Sequence, residues 1–268
     1  MKCIILTSTF LRHQFFVNYL AAHLEIVGVW QEEKSFQPQR YAQNDEEHRI
    51  IAEHFSARDA SEHHYFHDHA TLRLPPGATH RQVAAGAIND PTEIQQMASR
   101  ASEIVLVFGT GLLREPLIEA LDQPIINLHL GLSPYYRGSG TNFWPLVNRE
   151  PEYVGATIHY LDVGIDTGPI IAHVRPTLEV SDGPHDIGNK TIQSATSMMV
   201  RVAHAQRAGT VRALPQTDRG RLYRRKDFTA DAVQQLYQNF ATGMIAEYLE
   251  HKAERDAPLG LHALEEAG

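Results

Sequence analysis

A three-layer α/β domain built on an open, mostly parallel sheet is the fold the sequence predicts, and three observations predict it. Apolar runs of strand length recur at residues 2–7 (KCIILT), 25–30 (EIVGVW), 103–108 (EIVLVF) and 124–129 (PIINLH). Between the first two, Leu11, Phe15, Phe16, Tyr19 and Leu20 fall at helical spacing, so the chain opens as strand, helix, strand. The last two runs flank a short helix at 115–121 and end in polar or glycine-bearing loops, where open sheets of this kind collect functional groups.

Taken in order, the first strand and helix lead into the second strand, and residues 37–102 then turn richer in charge. Helical stretches around 45–56 and 91–100, with a turn cluster at Pro75, Pro76 and Gly77, are expected there as peripheral helices. After the paired runs at 103–108 and 124–129, GATIHYL at 155–161 alternates and passes through DVGIDTG into PIIAHVR at 169–175, the expected last strands of the sheet. A long helix over about 185–207 closes the domain. Beyond Gly209 a basic segment, RGRLYRRKDF, precedes a helix opening at Thr229 with Asp231 in its first turn. The expected division is a catalytic domain at 1–210 and a small C-terminal extension at 211–268.

Composition narrows the function. With 268 residues and 43% hydrophobic content, the chain can bury a sizeable core. Its 32 acidic against 24 basic residues give a formal net charge of −8, so no general attraction to nucleic acid or to anionic lipid is expected. No apolar stretch reaches membrane-spanning length. Cys3 is the only cysteine, so an internal disulfide is ruled out, in keeping with a reducing cytoplasm as the expected location.

Chemistry concentrates in NLHLGLSPYYRGSGTNFWPL at 127–146 and LDVGIDTGP at 161–169. Asn127 and His129 are two apart at a strand end, so the pleat sends both side chains to one face. An amide and an imidazole in one space suit acyl transfer to an amine. The imidazole takes the amine proton, and the amide donates to the oxygen that becomes negative in the tetrahedral intermediate. Asp166, in a glycine-flanked loop, could orient the imidazole, tune it electrostatically, or relay a proton through water. The plain alternatives are an Asn-x-His pair that holds a turn and an Asp-Thr-Gly that is ordinary turn chemistry.

The whole string resembles the 10-formyl-tetrahydrofolate-dependent formyltransferase family. The resemblance is carried by Asn127 and His129, then Gly131, Leu132, Ser133, Pro134, Tyr135, Tyr136, Arg137 and Gly138, then Thr157, His159, Asp166, Gly168 and Pro169. It covers about residues 103–208 and implies a Rossmann-like formyltransferase fold with 10-formyl-tetrahydrofolate as co-substrate and no metal. Asn127 is then the oxyanion donor, His129 the general base or acid, and Asp166 its partner. The resemblance further implies an apolar pterin wall of Leu112, Leu113 and Leu161, with backbone groups near Asp162 and Val163 reading the ring edge. Ser133, Tyr136, Arg137, Gly138, Tyr223 and Arg224 are the expected acceptor contacts.

Departures from the family narrow the acceptor. Glycinamide ribonucleotide enzymes carry a glycine-rich loop after the first strand, whereas this chain has TSTFLRHQ. Methionyl-tRNA enzymes add a basic carboxyl-terminal barrel where a short helical tail is read here, so no nucleic-acid partner is expected. The short tail and GTNFWPL look closest to the branch that formylates nucleotide-linked amino sugars. Alternatives are another small amine, of amino acid or glycinamide ribonucleotide type, hydrolysis of the same folate, or a folate-binding module without turnover. The cluster Arg219, Arg221, Arg224, Arg225 and Lys226 suits either a diphosphate or a solvated surface, and Trp144 suits core packing better than stacking on a ligand.

His63 and His67, four apart beside His64 and His69, could chelate a metal from one helix face. Without further ligands in a matching motif they read as structural or solvated histidines. A homodimer contacting through the terminal helix is the assembly considered.

Overall fold

The computed structural model describes residues 1–34, 37, 42–164, 166–216 and 220–264. Strands β1 (Lys2–Ser8), β2 (Glu25–Glu32), β3 (Thr79–Val83), β4 (Ile104–Phe108), β5 (Ile125–His129), β7 (Ala156–Tyr160) and β8 (Ile170–Val174) form one seven-stranded sheet in the order β3-β2-β1-β4-β5-β7-β8. The first five are parallel, while β7 runs antiparallel to β5 and β8 antiparallel to β7. Short strands β6 (Tyr136–Gly138) and β9 (Arg221–Tyr223) pair separately.

Strand alternation creates the layers. Cys3 and Ile5 of β1 join Leu106 and Ile126 in one apolar core, while Ile4 and Leu6 join Val105, Val107 and Ile125 in the other. A strand buried on both faces has no polar positions to spare, which is why these runs read as continuously apolar. The first core is covered by α1 (Leu11–Ala21) and α6 (Pro184–Ala208), which inserts Ile192, Ala195, Met199 and Ala203. The second is covered by α3 (Pro91–Ala98) and α4 (Glu115–Ala120) through Met97 and Leu117. Helix α6 starts at Gly183, whose N–H donates to Asp186 at 3.0 Å, and stops at Gly209 in the left-handed region (φ 69°).

Two expectations for residues 37–102 need correction. Helix α2 (Asp45–Phe66) is a single long helix whose first turn is capped by Asn44, with Glu47 N–H donating to its side chain at 3.0 Å. Within that stretch β3 extends the sheet as its edge strand. Its THRQV sequence buries only Val83, so apolar periodicity carries no sign of it.

Residues after 210 are tied back to the sheet and its helices. Leu214 exchanges backbone hydrogen bonds with Ile170 at 2.8 Å each way, and His173 N–H donates to the His262 carbonyl at 2.7 Å. Helix α7 (Ala230–Ala241) opens at Thr229 as the sequence predicts and buries Leu236 in a third apolar cluster with Ile187 and with Leu146 of α5 (Trp144–Val147). Helix α8 (Met244–Glu250) adds Met244 and Ile245 to it, and α9 (Lys252–Asp256) follows. None of the helices among the described residues is long and apolar enough to cross a membrane.

Candidate active site

The sheet order reverses between β1 and β4, and a cleft of about 740 Å³ opens beyond the carboxyl ends of β1, β4 and β5. That volume is ordinary for a small-molecule site. Its walls include Asn127, His129, His159 and Asp166, so four groups from two strands and one loop meet there.

Geometry assigns a state to each. Asn127 and His159 are cross-strand partners on β5 and β7. His159 Nδ1 lies 2.8 Å from the Tyr160 carbonyl, which fixes its proton on Nδ1 and leaves Nε2 to accept from the Asn127 amide at 3.1 Å. His129 Nδ1 lies 3.3 Å from Asp166 Oδ2, while its Nε2 is buried without a protein partner. The tautomer with its proton on the Nδ1 that faces the carboxylate is the one that leaves Nε2 a lone pair. Burial holds His129 below the ordinary imidazole range against the opposing pull of Asp166. Burial pushes the Asp166 carboxyl up, but His129 and His159 outweigh it and keep the group below its usual range. The resting pair is a neutral imidazole beside a carboxylate.

Local backbone makes this arrangement reachable. Asp166 sits in the left-handed region (φ 52°), where aspartate is tolerated better than most residues, and Gln216 holds its carbonyl at 2.9 Å and that of Gly168 at 2.7 Å. Gly168 passes so close to the Tyr160 carbonyl that a Cβ would overlap it. At Gly131 a Cβ would lie 2.5 Å from Thr141 Cβ and 2.9 Å from His129 Nε2, so only glycine lets this loop pass the imidazole.

Leu112, Leu113, Leu161 and Asp162 line the cleft, Leu112 with 62% of its surface exposed. An exposed leucine on a cleft wall suits a flat apolar ring. The loop that carries it is anchored by buried Glu32, which accepts from the N–H groups of Gly111 and, at 2.7 Å, Gly86. Lys34 Nζ donates to the Thr110 carbonyl at 3.1 Å.

Other expected contacts stand elsewhere. Val163 does not line the cleft and is 61% exposed. Ser133 is fully buried behind it, its N–H donating to Thr157 Oγ1 at 2.8 Å and its carbonyl accepting from His173. Tyr136 is buried too and donates its hydroxyl to Glu150. Tyr223 stacks on Trp144 at 4.3 Å, and Trp144 is itself packed in the interior. Gly138 reaches the wall, while its neighbour Arg137 contributes charge that lowers both His129 and Asp166. In the basic cluster Arg221 is taken by Glu150, Arg224 is off the cleft and Arg225 lines it; Arg219 lies outside the described residues.

Sequence reasoning passed over Arg12, His13, Lys34, Thr141 and Asn142, all on the wall. Arg12 and Lys34 follow the carboxyl ends of β1 and β2, so the strand-end rule that located the other loops was the available signal. His63 and His67 stack at 5.6 Å near the end of α2, and no group of three or more metal-ligating side chains occurs among the described residues.

Comparison with known proteins agrees with this geometry. The formyl transferase family matches residues 25–203, two thirds of the chain. The protein belongs to the formyl transferase family. A methionyl-tRNA formyltransferase of Thermodesulfovibrio yellowstonii is 28% identical over 131 residues, 48% of this chain and 42% of that protein's length. Among solved structures, an N-formyltransferase from Helicobacter canadensis in complex with folinic acid and dTDP-3-aminofucose has a TM-score of 0.53 at 15% identity, covering 89% of this chain and 80% of that one. Glycinamide ribonucleotide transformylase 1 from Symbiobacterium toebii has a TM-score of 0.52 at 18% identity, covering 80% and 94%. The two structures share the fold of this formyl transferase while differing in named acceptor, so architecture does not choose the acceptor.

Proposed function

We propose that this chain transfers a formyl group from 10-formyl-tetrahydrofolate to a primary amine of a small acceptor, a nucleotide-linked amino sugar being the favoured class. The observation that carries the reading is the buried, unpartnered Nε2 of His129, whose opposite nitrogen faces Asp166 at 3.3 Å. As the amine nitrogen bonds to the formyl carbon, Nε2 accepts the amine proton and Asp166 steadies the imidazolium that results. Asn127 spends one amide N–H on His159 and has a second for the oxygen that gains negative charge. The proton then passes to the departing folate nitrogen as its bond to the formyl carbon breaks, leaving a formamide and tetrahydrofolate.

Folate is supported by the apolar wall of Leu112, Leu113 and Leu161, and by the folinic acid in the Helicobacter canadensis relative of this fold. That relative's dTDP-3-aminofucose supports the amino-sugar class, and the absence of glycine from TSTFLRHQ weighs against the glycinamide ribonucleotide acceptor. Within this reading residues 1–210 supply the chemistry, and the tail from 211 completes the cleft mouth through Arg225.

Incubation with 10-formyl-tetrahydrofolate and a panel of amines tests the proposal. Tetrahydrofolate release that depends on an amino-sugar nucleotide is expected, and it should vanish in His129→Ala while folate binding persists. Release without any acceptor would point to hydrolysis, and no release with any amine would reject the proposal.

A further inference from the structure

The turn that carries Asp166 is held from two sides. Within the connection between β7 and β8, Asp162 Oδ1 accepts from the Gly164 N–H at 3.0 Å and from the Thr167 hydroxyl at 2.8 Å. From outside that connection, Gln216 donates both hydrogens of its side-chain amide, to the Asp166 carbonyl at 2.9 Å and to the Gly168 carbonyl at 2.7 Å. Both partners are acceptors, so the amide can face them only with its nitrogen. One group thus grips the backbone at Asp166 itself and again on the far side of Thr167.

Gln216 is fixed in its turn. Leu214 exchanges backbone hydrogen bonds with Ile170 on β8, the last strand of the sheet, and the Arg212 carbonyl lies 2.8 Å from His262 Nε2. Leu214 keeps 51% of its surface exposed, so backbone pairing rather than side-chain burial seats this segment. The grip matters because Asp166 lies in the left-handed region (φ 52°), which a residue other than glycine holds only where its surroundings enforce it. Its carboxylate also has to face two imidazoles at once, with Oδ2 3.3 Å from His129 Nδ1 and Oδ1 3.7 Å from His159 Nε2. At such distances a shift of a few tenths of an ångström decides whether the contact with His129 is a hydrogen bond.

We propose that Gln216 is a positioning residue: reaching from the segment that follows α6, it fixes the turn that aims the Asp166 carboxylate at His129 Nδ1. Gln216 does not line the cleft, so it acts through Asp166 and not on a bound molecule. Its kinetic consequence rests on the formyl-transfer reading, and it adds to that reading that the chain beyond residue 210 helps to set the catalytic pair. Burial lowers His129, Asp166 raises it, and His159, the Tyr136 backbone and Arg137 add smaller effects of both signs. A carboxylate that drifts from Nδ1 therefore lets the imidazole titrate at still lower pH.

Gln216→Met in the full chain, of similar length but without donors, tests the assignment. The pH midpoint of the His129 C2–H proton resonance, recognised by its absence in His129→Ala, should lie lower than in the wild type. The acid limb of kcat/KM should move down with it, and kcat should fall about ten- to hundredfold with little change in KM for the folate, as expected when a reacting group's partner is slightly misplaced. Combined with Asp166→Asn, Gln216→Met should shift the midpoint no further, because both act through one contact. An unmoved His129 midpoint overturns the proposal and leaves Gln216 a structural tie, whatever the rate does. Should Gln216→Met fail to fold, Gln216→Asn, whose amide is one methylene shorter, is judged by the same midpoint. If the wild type releases no tetrahydrofolate with any amine, the formyl-transfer reading falls, and the His129 midpoint alone decides for or against Gln216.

Discussion

Asn127 and His159 face each other across the antiparallel pair of β5 and β7, the amide nitrogen of one 3.1 Å from Nε2 of the other. His159 is itself held by the Tyr160 carbonyl at 2.8 Å, so the amide orientation is set by a strand backbone two contacts away. On the proposed mechanism, replacing Asn127 by Ala removes the donor for the developing oxyanion and should lower kcat about 10²–10³-fold. His159→Leu keeps the donor but frees its rotation, and a smaller loss in kcat with little change in folate affinity is expected. Steady-state kinetics on both variants and the double variant measure this. Equal losses in all three would mark the pair as one unit.

The pH profile should report His129. Its imidazole is held below the ordinary range by burial, so the neutral form that the proposed mechanism requires persists below the usual histidine midpoint near 6.5. The acid limb of kcat/KM should therefore fall at a pH below that value. Asp166 opposes the burial effect, so Asp166→Asn should move the limb to lower pH while reducing the plateau rate. An acid limb that moves upward in Asp166→Asn would contradict the assigned ion pair.

Gly131→Ala should inactivate without unfolding. The new methyl meets Thr141 at 2.5 Å and His129 Nε2 at 2.9 Å, and a clash of this kind costs about 1–3 kcal/mol of stability. Part of the relief comes from turning the imidazole. Activity should fall by orders of magnitude while the unfolding midpoint drops by only a few degrees, as read by thermal denaturation beside a rate assay.

Glu32 tethers the loop carrying Leu112 and Leu113 through the N–H groups of Gly86 and Gly111. Glu32→Ala strands two backbone donors, each worth about 1–3 kcal/mol if left buried and unpaired. KM for the folate should rise more than kcat falls, and Glu32→Gln, which keeps an acceptor oxygen, should recover most of the loss. A kcat effect with unchanged KM would place Glu32 outside the positioning of that wall.

The strands of the double-sided sheet were legible because burial on both faces demands unbroken apolar runs, as in CIIL of β1 and IVLVF of β4. Edge strand β3 was not, since pairing with β2 through backbone groups asks nothing of Thr79, His80, Arg81 and Gln82 as side chains. The same difference runs through the site. Asn127 and His129 could be placed together by the period of a single strand, whereas the contact between Asn127 and His159 depends on register between strands 32 positions apart. Ser133 and Tyr136 share a loop motif with Gly138 but point into packing, which a motif does not distinguish from a ligand contact.

By itself the order of residues determined the α/β class, the place of the strand-end loops, and the chemical kinds present in them: an amide, an imidazole and a carboxylate. These follow from local periodicity and from side-chain chemistry, which act over a few residues. Only the tertiary structure decided which nitrogen of His129 is free, that His159 holds the Asn127 amide, and that Arg12, Lys34 and Arg225 meet in one cleft. Such relations come from strand register and loop packing between distant segments, where positional shifts of an ångström make or break a hydrogen bond.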